Sequence, residues 1–462
     1  MQEDVILMQR SKVFGDQPSL ELIAPCKINQ GILSFSELEL NEFRQKFLND
    51  SSSCAFFVPA SGSGSRMFQF LHEFLKQPNA QNRGLVERFL NHISDFAFFK
   101  QLPISQQEKL LNNDYDLEGF INFLLDAEGL QFQNLPKALV PFHVNGPFVL
   151  NPMQEHLVQG SLLKAGKVSF HFTIQPGLEN LIHLCINNLI GITGNKFKFN
   201  FSSQNPSTDA VAFTPDAEVA LDETGKVIKR PAGHGALLQN LQNIKEDLVF
   251  IKNIDNVQHY NKSNLGVETF QSLGGVLLSF KSDVLNFRKS RDLNEFNTIV
   301  EKYQLLPKGK SVELTIDEAL LFLDRPSRIC GMVKNEGQPG GGPFWVNNNG
   351  LVQKQIVEKA QIANSAEQFK ILVQSTHFNP VMIICDYKRA DGSHYDLVNF
   401  IDENTSFIVK KNHNGMEVSF SELPGLWNGS MSNWNTLFIE IPSATFSPVK
   451  TVLDLLEDAH QG

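Results

Sequence analysis

The residues best suited to chemistry form a glycine-rich turn with a nearby arginine, Phe57-Val58-Pro59-Ala60-Ser61-Gly62-Ser63-Gly64-Ser65-Arg66-Met67. A short apolar run, Cys54–Val58, leads into it, as expected of a buried strand. Glycine lets a backbone approach an anion, and turn amides with a following helix dipole favour negative charge. Arg66 adds a planar, permanently charged donor. The segment lacks the GxxxxGK[ST] of a Walker loop, and Met67 stands where a dinucleotide fingerprint has its third glycine. By itself it suits a phosphate cradle or an ordinary strand–helix turn.

A second segment, Leu135-Pro136-Lys137-Ala138-Leu139-Val140-Pro141, fixes Lys137 between prolines and apolar residues. It precedes a helix opened by Asn151-Pro152, a good cap followed by a proline tolerated at the first helical position. Asp255, in Asn253-Ile254-Asp255-Asn256, follows the apolar run Leu248–Ile251 and lies at a strand's carboxyl end. Open α/β sheets place their sites there. Taken singly, Asp255 equally suits a turn cap, His234 a structural role, and Lys450 a solvated surface.

Together these segments resemble the sugar-nucleotide pyrophosphorylases. Ala60–Met67 is similar to their AGGxGTRM/L signature, with Ser61 for a glycine and Ser65 for the threonine. Leu135–Pro141 is similar to the PKxLxP signature that carries their active-site lysine. Pro231-Ala232-Gly233-His234-Gly235 resembles the PGGHGD stretch of the uridine-diphosphate-sugar group, with Ala236 in the place of the acid. Asn253–Asn256 matches its NxDN strand end, and Phe446–Leu456 its FxPVKTxxDLL segment. The five occur in the family's order. The whole chain more closely resembles an uncharacterised bacterial family within this superfamily, sharing the Arg328–Trp345 and Leu423–Trp434 segments.

The resemblance implies nucleotidyl transfer from a nucleoside triphosphate, with uracil as the base, to a sugar 1-phosphate. Arg66, Lys137 and Lys450 would be catalytic cations. Ala60, Ser61, Gly62, Ser63, Gly64 and Ser65 would cradle the phosphates, with Gly62 and Gly64 presenting amides. Gln204, Gly233 and His234 would lie against the base. Asp255 would bind Mg²⁺, a hard cation suited to carboxylate oxygen. A degenerate nucleotide-sugar binder without turnover and another phosphate-handling enzyme such as a kinase remain as alternatives. Between Gly64 and Lys137 the chain exceeds the family's usual gap, so residues 68–134 are expected as a helical insertion that leaves the loop and returns beside it.

A second glycine run, Asn335–Trp345, contains Gly340-Gly341-Gly342 with Arg325, Arg328 and Lys334 close in sequence. It suits a loop contacting sugar or phosphate, through Arg328 and Gly341, or a flexible connector. Trp427 and Asn428 offer an aromatic face and an amide to a polar ligand, or serve aromatic packing.

The elements that must position these groups read as alternating strands and helices. Strands are expected at Lys167–Ile174, Phe197–Ser202 and Leu248–Ile251. Helices are expected at Ser34–Asp50, Arg66–Leu75, Leu85–Phe99, Leu117–Leu125 and Gly177–Leu189. Glu218–Leu221 and Lys226–Lys229 flank a hairpin turn. Residues 335–350 read as a loop. Val381–Asp386, Asp396–Ile401 and Thr436–Ile441 read as strands, and Val449–Leu456 as a final helix. The expected fold is α/β. With the resemblance, this implies a three-layer, Rossmann-like nucleotide-diphospho-sugar transferase-like domain with a mixed, mainly parallel sheet, a helical insertion and a β-rich C-terminal part. The expected domains are an N-terminal helical arm (1–50), a nucleotidyltransferase-like core (51–285) and a C-terminal sugar-side part (286–462).

Composition supports this reading. The 462 residues are 42% hydrophobic, ample for buried cores, and the net charge of −10 repels nucleic acid and anionic membranes. An anionic ligand therefore needs a local positive site. Phenylalanine dominates the aromatics, with 38 against 5 Tyr and 3 Trp, which favours dry packing. Met1 is followed by Gln2, Glu3 and Asp4, the wrong charge for a signal peptide. The five scattered cysteines form no CxxC pair. A cytoplasmic location is expected, with nucleotide and sugar phosphate as partners and an oligomeric state the sequence leaves open.

Overall fold

The computed structural model describes residues 2–15, 19–310, 313–337, 340–348 and 350–462. The chain divides into two compact units, each assembled from three separate stretches. One comprises Met1–Ala55, Gln204–Ile251 and Phe270–Ser443, and the other Phe56–Ser203, Lys252–Thr269 and Ala444–Gly462.

The first unit contains a run of strands in the order Lys27–Ile28, Gly31–Leu33, Asn435–Glu440, Ser327–Lys334, Met382–Asp386 and Leu248–Lys252. Neighbours pair in parallel from the first of these to Ser327–Lys334, which then pairs antiparallel with Met382–Asp386. Its inner strands are apolar almost throughout: Met382–Asp386 is buried at every position, as a strand covered on both faces must be. The helix Glu37–Asn49 starts with a capping box between Ser36 and Glu39, in which each side chain satisfies an orphan amide. The long helix Asn264–Ser290 presents Gly274 and Gly275 to Phe47 and Phe43, so helix and helix meet at backbone distance.

The segment 1–50 is more than a helical arm. Leu22–Pro25 joins a three-stranded antiparallel sheet with Gly342–Asn348 and Leu351–Val357, and Gly31–Leu33 enters the larger sheet. The expected loop at 335–350 is corrected over Gly342–Asn348, a strand of the same sheet, while 338, 339 and 349 lie outside the described residues. Phe344, Trp345 and Val346 are buried strand residues, and their β-forming side chains prevail over the flanking Gly and Asn. Asp396–Ile401 is also no strand. Asp396 accepts a hydrogen bond from the Val398 amide, which turns the backbone into the 3₁₀ segment Leu397–Phe400. At 222–225 the turn forms, with Asp222 N donating to Lys226 O at 2.8 Å.

In the second unit, Cys54–Pro59, Val168–Thr173 and Lys198–Ser202 are consecutive strands, the last two parallel from Ser169↔Lys198 to Thr173↔Ser202. Helices Gln69–Lys76, Ala80–Asn91, Ile104–Leu111 and Leu117–Leu125 fill the stretch 68–134. One apolar cluster holds them together and extends to Val140, Phe142, Val257, Val449, Val452 and Leu453. Phenylalanine supplies its centre: Phe68 stacks on Phe132 at 4.8 Å, and Phe96 on Phe98 at 5.5 Å. Each fully buried side chain of this size stabilises by about 1.5–3 kcal/mol. The cluster ties residues 68–134 to the tail that bears Lys450. That tail ends in short 3₁₀ turns at Val452–Leu456 and Asp458–His460 rather than the expected helix over 449–456. Among the described residues no helix is long and apolar enough to cross a membrane.

Candidate functional site

The strand Cys54–Pro59 delivers the glycine loop at its carboxyl end, where Ala60 N donates to Thr173 O at 2.9 Å and Gln175 Nε2 to Ser61 O at 2.7 Å. The loop then pairs with the lysine segment. Gly64 N donates to Leu135 O at 2.9 Å, and Lys137 N donates to Gly62 O at 3.0 Å. The 70-odd residues between them therefore leave the loop and return to its side, because the phenylalanine cluster closes the excursion on itself. Gly64 is required by this approach: a Cβ there would lie 2.8 Å from Leu135 O and 3.0 Å from Val140 Cγ2.

The pairing corrects one detail of the expected cradle. The Gly64 amide is committed to Leu135 and Ser65 N to Ser63 Oγ, at 3.1 Å. Gly62 and Ser63 are the exposed residues of Ala60–Ser65, so their backbone lies nearest to an approaching anion. Arg66 is exposed at the start of the 3₁₀ turn Ser65–Phe68.

Lys137, Lys450 and Asp255 come together. Lys137 Nζ lies 3.0 Å and Lys450 Nζ 2.8 Å from the same oxygen, Asp255 Oδ2. Lys137 Nζ also donates to Val449 O at 2.9 Å. The side chains of Lys137 and Asp255 are 14% and 10% exposed, whereas Lys450 is 60% exposed. Burial pushes the Lys137 ammonium below the usual lysine range, Asp255 opposes that shift, and Lys450 and Arg66 reinforce it. Asp255 is held below the usual carboxylate range: burial works against this, and the two ammoniums prevail. Two lysines on one carboxylate leave a net positive pocket in an acidic chain.

Asp255 is fixed by its neighbours. Its carbonyl accepts from Val449 N at 3.0 Å, and Asn256 Oδ1 accepts from Ser447 N at 3.0 Å. His156 Nε2 donates to Ile254 O at 3.2 Å, and burial holds its pKa down to about 3. His156 belongs to the helix Pro152–Ser161, capped by Asn151, whose Gln154, Glu155, His156 and Gln159 are all buried. The sequence reading passed over these residues. The signal was four polar side chains in a helix whose apolar stripe is too narrow to explain its burial.

The remaining candidates lie in the first unit. Gln204 donates to Thr208 Oγ1 and Asp209 Oδ1 at 3.3 and 3.4 Å, within its own loop. Gly233 has φ +74°, and the Glu422 carboxylate packs where a Cβ would be. His234 stacks on Trp427, centroids 4.1 Å apart and planes 17° apart. Leu426 N donates to His234 Nδ1 at 2.8 Å, so the neutral ring carries its proton on Nε2. Burial holds its pKa down to about 4. Asn428 and Arg328 are fully buried. Arg328 donates from Nε to Thr436 Oγ1 at 2.8 Å and from Nη1 to Trp427 O at 2.7 Å. It thus props the Trp427 backbone from inside the sheet and has no face toward solvent. Gly341 is buried beside Ile356, Glu358 and Asn428.

Among the described residues there is no group of three or more His, Cys, Asp or Glu side chains fit to hold a metal. Asp255 offers carboxylate oxygen to the two ammoniums, and the Asp454 carboxylate accepts from the Lys450 and Thr451 amides, both at 2.7 Å.

No curated protein sequence matches the chain. Among solved structures, UDP-glucose phosphorylase from Trypanosoma brucei is similar at 12% identity and a TM-score of 0.46, over 98% of this chain and 74% of that one. A protein of Entamoeba histolytica assigned as a UDP-N-acetylglucosamine pyrophosphorylase is similar at 11% identity and a TM-score of 0.42, over 90% of this chain and 80% of that one. The family model for a domain of unknown function, DUF4301, matches residues 1–461, and the chain belongs to that family.

Proposed function

We propose that the protein is a nucleotidyltransferase that joins a nucleoside triphosphate, UTP for preference, to a sugar 1-phosphate with release of pyrophosphate. The observation that carries the reading is the convergence of Lys137 and Lys450 on Asp255 in the same unit as a glycine loop hydrogen-bonded to the lysine segment. A phosphate oxygen of the sugar attacks the α-phosphorus, and the bond from that phosphorus to the β-phosphate oxygen breaks. Such a transfer needs charge neutralisation and in-line positioning more than covalent help.

The chain's residues divide this work. The Gly62 and Ser63 amides and Arg66 take the β- and γ-phosphates. Lys137 neutralises charge at the α-phosphate, and Lys450, the more exposed of the pair, takes the incoming sugar phosphate. Without substrate, Asp255 parks both ammoniums; anionic substrate draws them away and frees the carboxylate. One carboxylate with substrate phosphates is a donor set that suits Mg²⁺, which would supply further neutralisation of the phosphates.

The direct test is pyrophosphate release from a panel of triphosphates and sugar 1-phosphates with Mg²⁺. Release with UTP is expected. Binding across the panel with no release identifies a non-catalytic binder, and a nucleoside diphosphate product identifies a kinase. Lys137→Ala should lower turnover by roughly 10²–10³-fold, as removal of one fixed charge-stabilising donor does, in a protein that still folds but at a lower unfolding midpoint, because Asp255 and Val449 O lose a buried donor. Wild-type turnover in that variant would sink the lysine assignment.

A further inference from the structure

The tail that carries Lys450 is held along residues 255–262. Besides the Val449 and Ser447 hydrogen bonds, Gln258 Nε2 donates to Ala444 O and Ser447 Oγ, and His259 N donates to Ala459 O at 2.9 Å. At its far end His460 is only 3% exposed.

His460 closes a buried polar chain. His143 Nδ1 lies 2.8 Å from Glu155 Oε1, with neither side chain exposed, and His143 Nε2 lies 3.0 Å from His460 Nδ1. The two rings stack at 5.3 Å and 22°. Gln159 Nε2 donates to the other Glu155 oxygen at 2.8 Å and to Gln258 O at 2.7 Å. The carboxylate only accepts, so His143 donates to it from Nδ1. His143 Nε2 and His460 Nδ1 share the hydrogen bond between the rings.

We propose that His460 is a positioning residue. Through the Glu155–His143–His460 chain it docks the segment presenting Lys450, and protonation of His460 undocks it. The consequence for sugar-phosphate transfer rests on the function proposed above; the docking itself does not.

The charges around His460 set the direction. His143 lies on the antiparallel strand pair His143–Asn145 and Phe148–Leu150, His259 and Lys262 on the segment His460 packs against, and Asp458 on its own turn is paired with Lys262 and 96% exposed. The Glu155 carboxylate is one ring away and already committed to His143 and Gln159. Burial first, then His143, His259 and Lys262, hold the His460 pKa down to about 3, with the Ser447 carbonyl opposing. A released histidine titrates near 6.5. Above that pH the ring is neutral in both forms and docking is complete. From about 6.5 down to about 3 the released form takes up a proton that the docked form refuses. Release is then favoured by about tenfold per pH unit.

Hydrogen exchange of residues 444–456, corrected for intrinsic rates and measured without nucleotide, tests this. The wild-type opening equilibrium should rise roughly 30-fold between pH 7.5 and 5.0. His460→Asn keeps an amide that can donate to or accept from His143 but cannot ionise, so its exchange should be protected and independent of pH. His460→Ala should exchange faster already at pH 7.5. A flat wild-type profile, or an equal pH slope in the Asn variant, would overturn the proposal. Because no substrate is present, an enzyme that releases no pyrophosphate still reports on the docking.

Discussion

The segments Ala60–Ser65 and Gly340–Gly342 are both glycine-rich and both follow apolar strands in sequence order, yet their surroundings differ in kind. The first is a turn whose Gly62 and Ser63 are exposed and whose neighbours are Arg66 and a lysine pair on one carboxylate. In the second, Gly341 and Gly342 are buried at the start of the strand Gly342–Asn348, against Ile356, Phe344 and Ser375. Two of its three nearby cations are engaged elsewhere: Arg328 holds Trp427 O, and Arg325 lies over the Phe322 ring at 4.6 Å, while Lys334 is exposed. Glycine in the first lets backbone meet backbone around a charged pocket. In the second it lets strands pack side chain against strand. A glycine run thus marks a close approach, and only the cations around it say whether a ligand makes that approach.

Four substitutions press on this contrast. Gly64→Ala should do the most. Its Cβ meets a carbonyl oxygen that cannot swing aside, so the loop-to-lysine pairing gives way. A loss of about 2–3 kcal/mol in denaturant unfolding and near-complete loss of turnover are expected. Wild-type activity would show that the pairing does not position Lys137. Asp255→Asn comes next. It removes the group that holds the Lys137 ammonium charged against burial, so the Lys137 pKa should fall further. The alkaline fall of the pH–rate profile, expected below the ordinary lysine range, should move to lower pH; an unmoved limb would detach Lys137 from the reaction.

Gly341→Ala should cost about 1 kcal/mol, because the obstacles, Ile356 Cγ2 at 2.7 Å and Glu358 Cγ at 3.3 Å, are side chains that can shift. Calorimetry should find triphosphate affinity unaltered. Weakened affinity would move this segment from packing to binding. Gly62→Ala has the smallest effect on folding. A Cβ there meets nothing within 4 Å, so stability should stay within about 0.5 kcal/mol. Triphosphate binding should nevertheless weaken a few-fold, since a methyl would occupy the anion's approach. Unchanged binding would take Gly62 out of the cradle.

What the sequence made legible follows the same division. Local signals carried through: the Ser36 and Asn151 caps, the strand Cys54–Pro59 and the helix Leu117–Leu125 all stand where residue type and spacing put them. The return of Lys137 to the loop could be expected only from the order of motifs, since its cause is a phenylalanine cluster spread over some 390 residues. Three features were hidden for physical reasons. The strand Gly342–Asn348 lies between Gly and Asn residues that mimic a loop. Asp396 replaces a ladder hydrogen bond with one of its own. Arg328 in a basic stretch reads as an anion ligand, but fully buried strand pairing turns it inward. The histidine chain was illegible because its members come from positions 143, 155 and 460, and no spacing rule joins them.

The cluster of Lys137, Asp255 and Lys450 also has a temporal side. Lys137 waits for a carboxylate 118 residues further on, and that carboxylate waits another 195 residues for its second lysine. At roughly 5–20 residues per second of synthesis, a growing chain spends on the order of 15 s or more with the loop made and its last cation still unmade. Until then Asp255 has one partner, and the Val449 and Leu453 side chains that finish the phenylalanine cluster are missing. A product terminated early lacks both the charge and the apolar seal. Such a fragment would be a client for chaperones and proteases, so cell extracts should contain full-length chains with a complete pocket or none at all.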